Sequence, residues 1–304
     1  MKTARFIWLD GRLVPWKNAQ VHFLTHALHY GTGIFEGIRC YSGKPNPMVF
    51  RLDEHLKRLE QSANTFGIKL PYPVSKIKQA IVQTVKKNKL RQCYIRPLIY
   101  YGYGEMGLNP LSNPVQMGIA AWPWEHYLGP DAFEKGIHVK ISSWVRNNPD
   151  ALPPKAKISG AYANSVLAKT EAIREGFMDA ILLDDEGYVA EGTGENVFIA
   201  VDGTLYSPLL NNCLAGITRK SVIEIAKELK IPFADKQLTR EEIYNADEVF
   251  FTGTAAELTP ITKMDYRKIG NGKVGPITKK IQEYYTGIVH GKNPKFKNWL
   301  TPVK

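Results

Sequence analysis

Three glycine-containing segments in the second half of the chain have the composition of phosphate-binding turns. Residues 215–218 read Ala-Gly-Ile-Thr and lead into a predicted helix, whose first N–H groups and dipole attract an anion. Residues 251–255 read Phe-Thr-Gly-Thr-Ala and offer hydroxyl and amide donors where a β-rich strand ends. Residues 191–196 read Glu-Gly-Thr-Gly-Glu-Asn and place two acids on a backbone that glycine lets approach a ligand closely. Taken singly, each is also typical of an ordinary turn or helix cap.

The other motifs argue against several common chemistries. The run Gly31-Thr-Gly-Ile-Phe-Glu-Gly37 precedes its predicted strand, Gly37 to Tyr41, so it does not fit a dinucleotide-binding fingerprint. His22, His26 and His29 would share one face of a helix, but no cysteine or acid accompanies them. Hydrogen-bonded structural histidines are therefore favoured over a zinc site, and we expect no metal. The sequence contains no HExxH, GxSxG or GxxxxGK[ST] motif.

The composition is that of a folded protein with a large core. The chain has 304 residues, which suggests two domains at roughly 150 residues each. Hydrophobic residues make up 44% of it, and no apolar run approaches the ~18 residues that would span a membrane. The first residues, interrupted by Asp10 and Arg12, do not resemble a secretory signal. Cys40, Cys93 and Cys213 form no CxxC pair, which favours a reducing compartment and predicts a cytoplasmic protein.

The net charge of +11 raises the alternative of a nucleic-acid-binding protein. Such a protein would concentrate its basic residues, because affinity comes from neutralising a line of phosphates. The run Lys86-Lys87-Asn88-Lys89 instead closes a predicted helix, where lysines interact favourably with the helix dipole. The other dense run, residues 292–297, lies in a polar tail. The sequence favours a generally basic surface, and we expect no nucleic-acid partner.

Hydrophobic periodicity and turn signals predict two domains of mixed α+β structure. In the first half they predict a hairpin at 6–14, a helix from the cap Asp53 to Phe66 stopped by Gly67, a helix capped by Ser75, and strands at 93–101 and 115–122. In the second half they predict strands at 137–145 and 248–251 and helices at 161–175, 218–230 and 276–289. The predicted domains are residues 1–122 and 137–304, and residues 123–136 form the predicted linker.

A series of segments, read in order, resembles the branched-chain amino acid aminotransferases, which are fold-type IV pyridoxal phosphate enzymes. The matching segments are 26–39 (HALHYGTGIFEGIR), 54–59 (EHLKRL), 94–98 (YIRPL), 107–110 (GLNP), 157–162 (KISGAY), 191–196 (EGTGEN), 216–219 (GITR) and 253–257 (GTAAE). Their order and spacing over nearly the whole chain make the resemblance specific. It implies a small α+β domain, a larger β-rich cofactor domain with helices, and pyridoxal 5'-phosphate as the cofactor.

The resemblance makes Lys157 the lysine that bonds to the cofactor and later moves the substrate's Cα proton. A lysine amine in its free-base form suits both roles. Chemistry alone does not select it, since Lys155 lies two residues away. The other implied cofactor contacts are Arg58, Ile217, Thr218, Gly253 and Thr254 around the phosphate, Tyr162 at the ring's phenolic oxygen, and Glu191 at the ring nitrogen, with Glu195 behind them.

The implied substrate pocket combines aromatic walls with one arginine. The matching positions are Tyr30, Phe35, Tyr94, Arg96, Trp124 and Tyr127 around the side chain, Thr254 and Ala255 at the α-carboxylate, and Leu108 from a partner subunit's loop. Such a pocket accepts both a leucine-like side chain and the carboxylate of glutamate. The resemblance thus implies transfer of amino groups from leucine, isoleucine or valine to 2-oxoglutarate, in a dimer or hexamer.

Within this fold, a D-amino acid aminotransferase and an aminodeoxychorismate lyase are alternatives that use the same lysine. D-specific enzymes carry an Arg-x-His carboxylate site after the strand that matches 94–101, and this chain reads Tyr-Tyr-Gly-Tyr-Gly-Glu-Met-Gly there. The Tyr-Ile-Arg-Pro segment favours the branched-chain group. Ile158 departs from the small residues typical of the family and changes the packing beside Lys157.

Overall fold

The structure, a computed structural model, describes residues 2–124, 127–129 and 131–304. Three residues of the predicted linker, 125, 126 and 130, lie outside this range. Among the helices that are described, none is long and apolar enough to cross a membrane. The mixture of helices and two sheets confirms the predicted α+β class.

Helices and strands are interspersed along the described part of the chain. The first are β1 (Phe6–Leu9), β2 (Arg12–Pro15), α1 (His26–Tyr30), β3 (Gly33–Phe35), β4 (Ile38–Tyr41), β5 (Met48–Phe50), α2 (Leu52–Phe66), α3 (Val74–Lys87), β6 (Cys93–Tyr101) and β7 (Val115–Pro123). The rest are α4 (Ala132–Lys135), β8 (Ile137–Ile141), α5 (Tyr162–Arg174), β9 (Asp179–Leu183), β10 (Val189–Gly192), β11 (Asn196–Val201), β12 (Thr204–Pro208), α6 (Ile217–Glu228), β13 (Phe233–Lys236), α7 (Arg240–Tyr244), β14 (Glu248–Gly253), β15 (Glu257–Met264), β16 (Arg267–Lys268), α8 (Pro276–Val289) and β17 (Leu300–Pro302). Short 3-10 helices occupy Trp16–Asn18 and Pro294–Trp299.

Packing divides the chain into two compact units. The first contains residues 1–125, 156–161 and 288–304, and the second contains residues 126–155 and 162–287. These units cross the predicted domain boundaries twice, because the short 156–161 segment and the C-terminal tail both pack with the first unit. The predicted boundaries themselves stay a prediction.

The first unit is built on one antiparallel sheet. Its strands are ordered β17-β5-β4-β6-β7-β1-β2, and β3 also pairs with β6. β6 and β7 pair along nine residues each, from Cys93 opposite Pro123 to Tyr101 opposite Val115. Helices α2 and α3 pack on the sheet, and they bury Ile77 and Ile81 completely. The period-2 alternation of β6 leaves Tyr94 and Arg96 on the sheet face opposite to that of Ile95.

The second unit is built on a mixed sheet ordered β10-β9-β8-β15-β14-β11-β12-β13. β8 runs parallel to both of its neighbours, β9 and β15, and most other pairs are antiparallel. Ile199, Val249 and Phe251 belong to its main apolar core. α5 packs against β9 through a smaller cluster that contains Ala168, Ala172 and Phe177. This sheet positions the glycine-containing segments identified in the sequence.

Most predicted elements are confirmed, but two helix caps and one strand end are wrong. α2 begins after Arg51, and the Asp53 carboxylate instead accepts a hydrogen bond from Lys78 Nζ at 2.5 Å. α3 begins directly after Pro73, whose fixed φ suits a helix start, so Ser75 lies inside the first turn. β8 ends at Ile141, where Ser142 begins a local turn by accepting the Trp144 amide on its side chain.

Candidate active site

Lys157 lies on a short segment that pairs with β3 in the first unit. The Phe35 amide donates to the Lys157 carbonyl (3.0 Å), and the Ser159 amide donates to the Gly33 carbonyl (2.8 Å). The Lys157 amide donates to Oγ of Ser62 on α2 (3.0 Å). The backbone of Lys157 is therefore held by β3 on one side and by α2 on the other.

The same segment meets the chain before β3 at a contact between two glycines. Gly31 has φ of 65°, and a Cβ atom added there would lie 2.6 Å from the Cα of Gly160. The Gly160 amide also donates to the Gly31 carbonyl (3.1 Å). Because a left-handed φ and a close backbone contact coincide, Gly31 has two independent reasons to be glycine.

The Lys157 side chain is buried beside an aromatic ring and near the positive charge of Arg58. It is 9% exposed, and its Nζ lies 4.8 Å from the centre of the Phe35 ring. Burial, followed by the nearby charge of Arg58, lowers the pKa of Lys157 from 10.5 to about 8. A larger fraction of this amine is therefore in the nucleophilic free-base form near neutral pH than for an ordinary lysine.

Arg58 is held on α2 by a buried carboxylate. Glu36 Oε1 accepts from Arg58 Nε (2.7 Å), and Glu36 Oε2 accepts from Arg58 Nη2 (2.9 Å) and from His55 Nδ1 (2.7 Å). Although burial raises the pKa of Glu36, Arg58 and His55 hold it far below its usual range. Burial lowers the pKa of His55 against the opposing effect of Glu36.

Arg96 projects among aromatic rings. Its guanidinium carbon lies 4.6 Å from the centre of the Phe35 ring, and its Nη2 donates to the Tyr94 hydroxyl at 3.3 Å. The Tyr94 ring lies 5.3 Å from that of Trp122 and 5.0 Å from that of Trp124. Within the described residues, the buried Nε of Arg96 has no hydrogen-bond partner. The first unit thus brings together Phe35, Arg58, Tyr94, Arg96, Trp124 and Lys157 as predicted neighbours on one framework.

Two residues predicted for the substrate pocket lie on the surface of the first unit. Tyr30 is 42% exposed, with its ring 4.6 Å from that of His26, and Leu108 is 85% exposed. Tyr127, in the second unit, is also exposed, and its ring lies 5.5 Å from Lys169 Nζ. Tyr30 and Leu108 are thus exposed to solvent in the single chain, and their role at the substrate stays a prediction.

In the second unit, Glu191 is buried and held by three groups. Its Oε1 lies 2.9 Å from Arg146 Nη2, while its Oε2 accepts from the Leu214 amide (3.1 Å) and from Asn196 Nδ2 (3.5 Å). Asn196 also donates to the Leu214 carbonyl (2.8 Å). A Cβ atom at Gly216 would lie 1.9 Å from Asn196 Oδ1, so glycine is what admits this side chain. The segment before α6 is thereby tied to the strand that carries Glu191.

Glu195, four residues further along the same hairpin, is buried in a different environment. Its Oε2 accepts from the Gly194 amide at 2.9 Å. Burial, followed by the negative charge of Asp179, raises the pKa of Glu195 to about 8. Asp179 itself accepts from Lys169 Nζ and from Thr193 Oγ1, each at 2.6 Å. Glu195 is therefore favoured in its protonated form near neutral pH.

The remaining predicted cofactor contacts are in two turns of the second unit and at the start of α5. Ile217 and Thr218 are the first two residues of α6, where backbone amides lack intrahelical acceptors and the helix dipole is positive. Gly253, Thr254 and Ala255 form the turn that joins β14 to β15. Tyr162 is the first residue of α5.

The sequence did not predict four residues that hold Arg58, Lys157 and Glu191 in place. Glu36 and His55 lay inside segments already recognised from the resemblance, so their motif positions were an available signal. Ser62 and Arg146 had none, because a serine on a helix and an arginine in an irregular loop are common. Their contacts arise only from tertiary packing.

Comparisons with known proteins show the family of the chain. Residues 33–264 match the family model described as amino-transferase class IV. The branched-chain-amino-acid aminotransferase of Pseudomonas aeruginosa is 47% identical, covering 98% of this chain and 97% of that protein. The enzyme of the same name from Escherichia coli K12 is 44% identical over 99% and 98% of the two chains.

Solved structures show the same relationship. The crystal structure of the T.th. branched-chain amino acid aminotransferase with pyridoxamine 5'-phosphate superposes with a TM-score of 0.97, at 46% identity and complete coverage of both chains. The same enzyme complexed with N-(5'-phosphopyridoxyl)-L-glutamate gives a TM-score of 0.96 at 45% identity, again with complete coverage. This chain belongs to the class IV aminotransferase family.

Proposed function

We propose that this chain is a pyridoxal phosphate-dependent branched-chain amino acid aminotransferase. It converts leucine, isoleucine or valine and 2-oxoglutarate into the matching branched 2-oxo acid and L-glutamate. The amino group that leaves the first substrate in one half-reaction is transferred to 2-oxoglutarate in the other. The overall reaction therefore requires no external oxidant. The proposal is supported by relatives of that name at 43–47% identity over nearly the full chain.

The observation that carries the proposal is the buried amine of Lys157 with its pKa lowered to about 8. An amine must be deprotonated to attack an aldehyde, so this shift prepares Lys157 for the cofactor. The other donors suit the rest of that molecule: an arginine and helix-terminal amides match a phosphate, and a buried carboxylate matches a protonated ring nitrogen. The residues present therefore fit pyridoxal phosphate.

When bound, the cofactor supplies a conjugated ring that withdraws electrons from the substrate's Cα. The residues of the first unit then have separate tasks. Lys157 would take the proton from the substrate's Cα and deliver it to the carbon of the cofactor's aldehyde group, and in the second half-reaction it would move a proton in the reverse direction. Arg58, whose guanidinium is paired with Glu36, would donate hydrogen bonds to the phosphate. The Phe35 ring packs against the Lys157 amine and keeps water from it.

The proposed tasks of the second unit concern charge. Glu191 would accept a hydrogen bond from the protonated ring nitrogen and so keep the ring electron-poor, while Arg146 holds the Glu191 carboxylate. The phosphate is bound by amides and hydroxyls of Ile217, Thr218 and Thr254, with Gly253 in the same turn. Tyr162 donates to the ring's phenolic oxygen, and Thr254 and Ala255 amides hold the substrate's α-carboxylate.

Arg96 is the basis of the proposed dual substrate range. Its guanidinium is stacked on Phe35 and Tyr94 and has one buried N–H without a partner in the described residues. The carboxylate of glutamate can pair with this group, whereas the aromatic rings around it, including Trp124, pack against a branched aliphatic chain. Tyr127 stays a predicted contact of the substrate's side chain.

We also propose that the chain self-associates through the surface formed by residues 21–30 and 103–111. Both segments carry exposed apolar side chains: Val21, Phe23, Leu28, Tyr30, Tyr103, Met106, Leu108 and Leu111. They contact each other through stacked rings of His22 and Tyr103 and through His26 Nε2, 2.7 Å from the Gly107 carbonyl oxygen. A contiguous apolar surface of this kind marks an interface, and Leu108 would reach the partner's substrate pocket.

The proposed compartment is the cytoplasm. Cys40, Cys93 and Cys213 are all buried free thiols, which suits reducing conditions.

The self-association is checked by sedimentation of Phe23→Ser and Leu108→Ser variants, which should shift the protein toward monomer. A monomeric wild type would contradict that part of the proposal without affecting the chemistry.

Visible absorption of the purified protein tests the proposed reaction. The cofactor band should be bleached by L-leucine and restored by 2-oxoglutarate. Bleaching by D-alanine but not by leucine would move the function to the D-specific branch. A protein that stays colourless after pyridoxal phosphate is added would overturn the assignment of Lys157. Salt-sensitive nucleic-acid binding that survives Lys157→Ala would instead favour the binding-protein alternative.

A further inference from the structure

The orientation of Arg58 depends on a residue outside the predicted site. A guanidinium is planar, so a partner that holds two of its N–H groups also fixes the direction of the others. Glu36 does this through both oxygens, accepting from Nε at 2.7 Å and from Nη2 at 2.9 Å. The Glu36 side chain is completely buried, so water does not compete for these hydrogen bonds.

Glu36 is itself fixed by two further contacts. The His55 Nδ1–H donates to Oε2 at 2.7 Å, since an ionised carboxylate only accepts. The Glu36 backbone amide donates to the Pro97 carbonyl at 3.0 Å, which anchors the residue to β6. His55, Arg58 and Ser62 recur on one face of α2, so the helix that aligns Arg58 also holds the Lys157 backbone.

We propose that Glu36, supported by His55, is a positioning residue that aligns the Arg58 guanidinium to receive the cofactor's phosphate group. This inference rests on the proposed cofactor and deepens it. Arg58 without Glu36 would keep its charge but lose its fixed direction. The loss would therefore fall on the phosphate, and the rest of the cofactor would be bound as before.

The test compares pyridoxal phosphate with pyridoxal, which lacks the phosphate group. Dissociation constants of both are measured on cofactor-free protein by absorbance titration. In Glu36→Gln, the ratio of the pyridoxal phosphate constant to the pyridoxal constant should rise roughly tenfold or more, because charge-assisted hydrogen bonds are lost. A general structural role for Glu36 would weaken both ligands equally, and that outcome would overturn the inference.

A double-mutant cycle asks whether Glu36 acts through Arg58. Arg58→Lys keeps the charge but has no planar fork, so the wild-type orientation no longer applies. In the Arg58→Lys background, Glu36→Gln should leave the ratio unchanged. An equal further rise in that background would overturn the inference, because Glu36 would then act by another route.

Glu54→Gln is the matched control. Glu54 accepts from Arg51 Nε at 2.7 Å, another arginine–carboxylate pair at the start of the same helix. Its removal should leave the ligand ratio as in the wild type. If Glu36→Gln does not fold, Glu36→Asp retains the charge while shortening the reach, and it should raise the ratio by a smaller factor. An unchanged ratio in a folded Glu36→Asp would count against the inference.

Failure of the inference and failure of the proposed function give different results. A wild-type protein that binds pyridoxal phosphate and transaminates leucine, with the ratio unchanged in folded Glu36→Gln, overturns only the inference. A wild type that takes up neither ligand overturns the proposed function and the inference together.

Discussion

The two units treat their buried charged groups in opposite ways. In the first, the carboxylate of Glu36 is ionised and paired with Arg58, and the nearby Lys157 has its pKa lowered to about 8. In the second, burial and the charge of Asp179 raise the pKa of Glu195 to about 8. A base is therefore favoured in its neutral form in one unit, and an acid in its neutral form in the other.

Two acids of one hairpin have opposite charges beside them. Glu191 and Glu195 are both buried and four residues apart, yet Glu191 faces the guanidinium of Arg146 while Glu195 faces Asp179. The two residues are of the same type and are similarly buried, so they differ mainly in the charge of the neighbouring side chain. The charge beside each carboxyl, not its residue type, therefore distinguishes the two environments.

The largest expected effect comes from removing the base of the first unit. Lys157→Ala should lower leucine transamination by at least about 10³-fold, because both the covalent attachment and the proton transfer at Cα are lost. Initial rates with leucine and 2-oxoglutarate provide the measurement. Lys155→Ala, two residues away and exposed, should keep wild-type rates. Substantial turnover by Lys157→Ala would contradict the central assignment.

The sequence predicts those site residues that belong to recognisable motifs. Lys157, Arg58 and Glu191 were predicted because their motifs occur in a characteristic order along the chain. Local patterns also predicted β6 and α8, since long periodic segments form the same structure in most contexts. The α+β class and the family followed from these features and are confirmed.

The supporting contacts could not be predicted because they join distant parts of the chain. Ser62 reaches the Lys157 amide across 95 positions, and Glu36 reaches Arg58 across 22. The cap predicted at Asp53 failed for the same reason: Lys78, 25 positions away, takes its carboxylate. A side chain with several possible partners is decided by tertiary structure, which no local pattern contains.

Replacing each of the two hairpin acids by glutamine sharpens the comparison within the second unit. Glu191→Gln removes the carboxyl group that pairs with Arg146 and that we propose for the ring nitrogen, and it should lower kcat by roughly 10²-fold, as for other preorganised electrostatic groups. Glu195→Gln replaces a protonated carboxyl by a neutral amide of the same shape and should change kcat less than about threefold. The same steady-state assay measures both variants. Equal losses would show that the two environments are not functionally distinct.

A backbone substitution tests the rigidity of the first unit. Gly31→Ala combines a left-handed φ with a contact of 2.6 Å to the Gly160 backbone, and should cost roughly 3 kcal/mol of unfolding free energy. Gly67→Ala is the matched control: it has φ of 73° at the end of α2 but open space around it, and should cost only about 1 kcal/mol. Urea unfolding compares them. If the two costs are equal, the glycine contact contributes nothing.

The slope of stability with pH compares the two units directly. The pKa of Glu195 is higher in the folded protein than when unfolded, so its contribution is present below about pH 4.5 and is lost as the pH rises to about 8. The pKa of Lys157 is lower in the folded protein, so its unfavourable contribution persists up to about pH 8 and disappears toward pH 10.5. Each slope is at most about 1.4 kcal/mol per pH unit, with opposite signs on the two sides of pH 8.

In urea unfolding of cofactor-free protein, Glu195→Gln should remove the falling slope and Lys157→Met the rising one. If either variant changed the slope in the other's range, the two groups would not titrate as independent members of the two units.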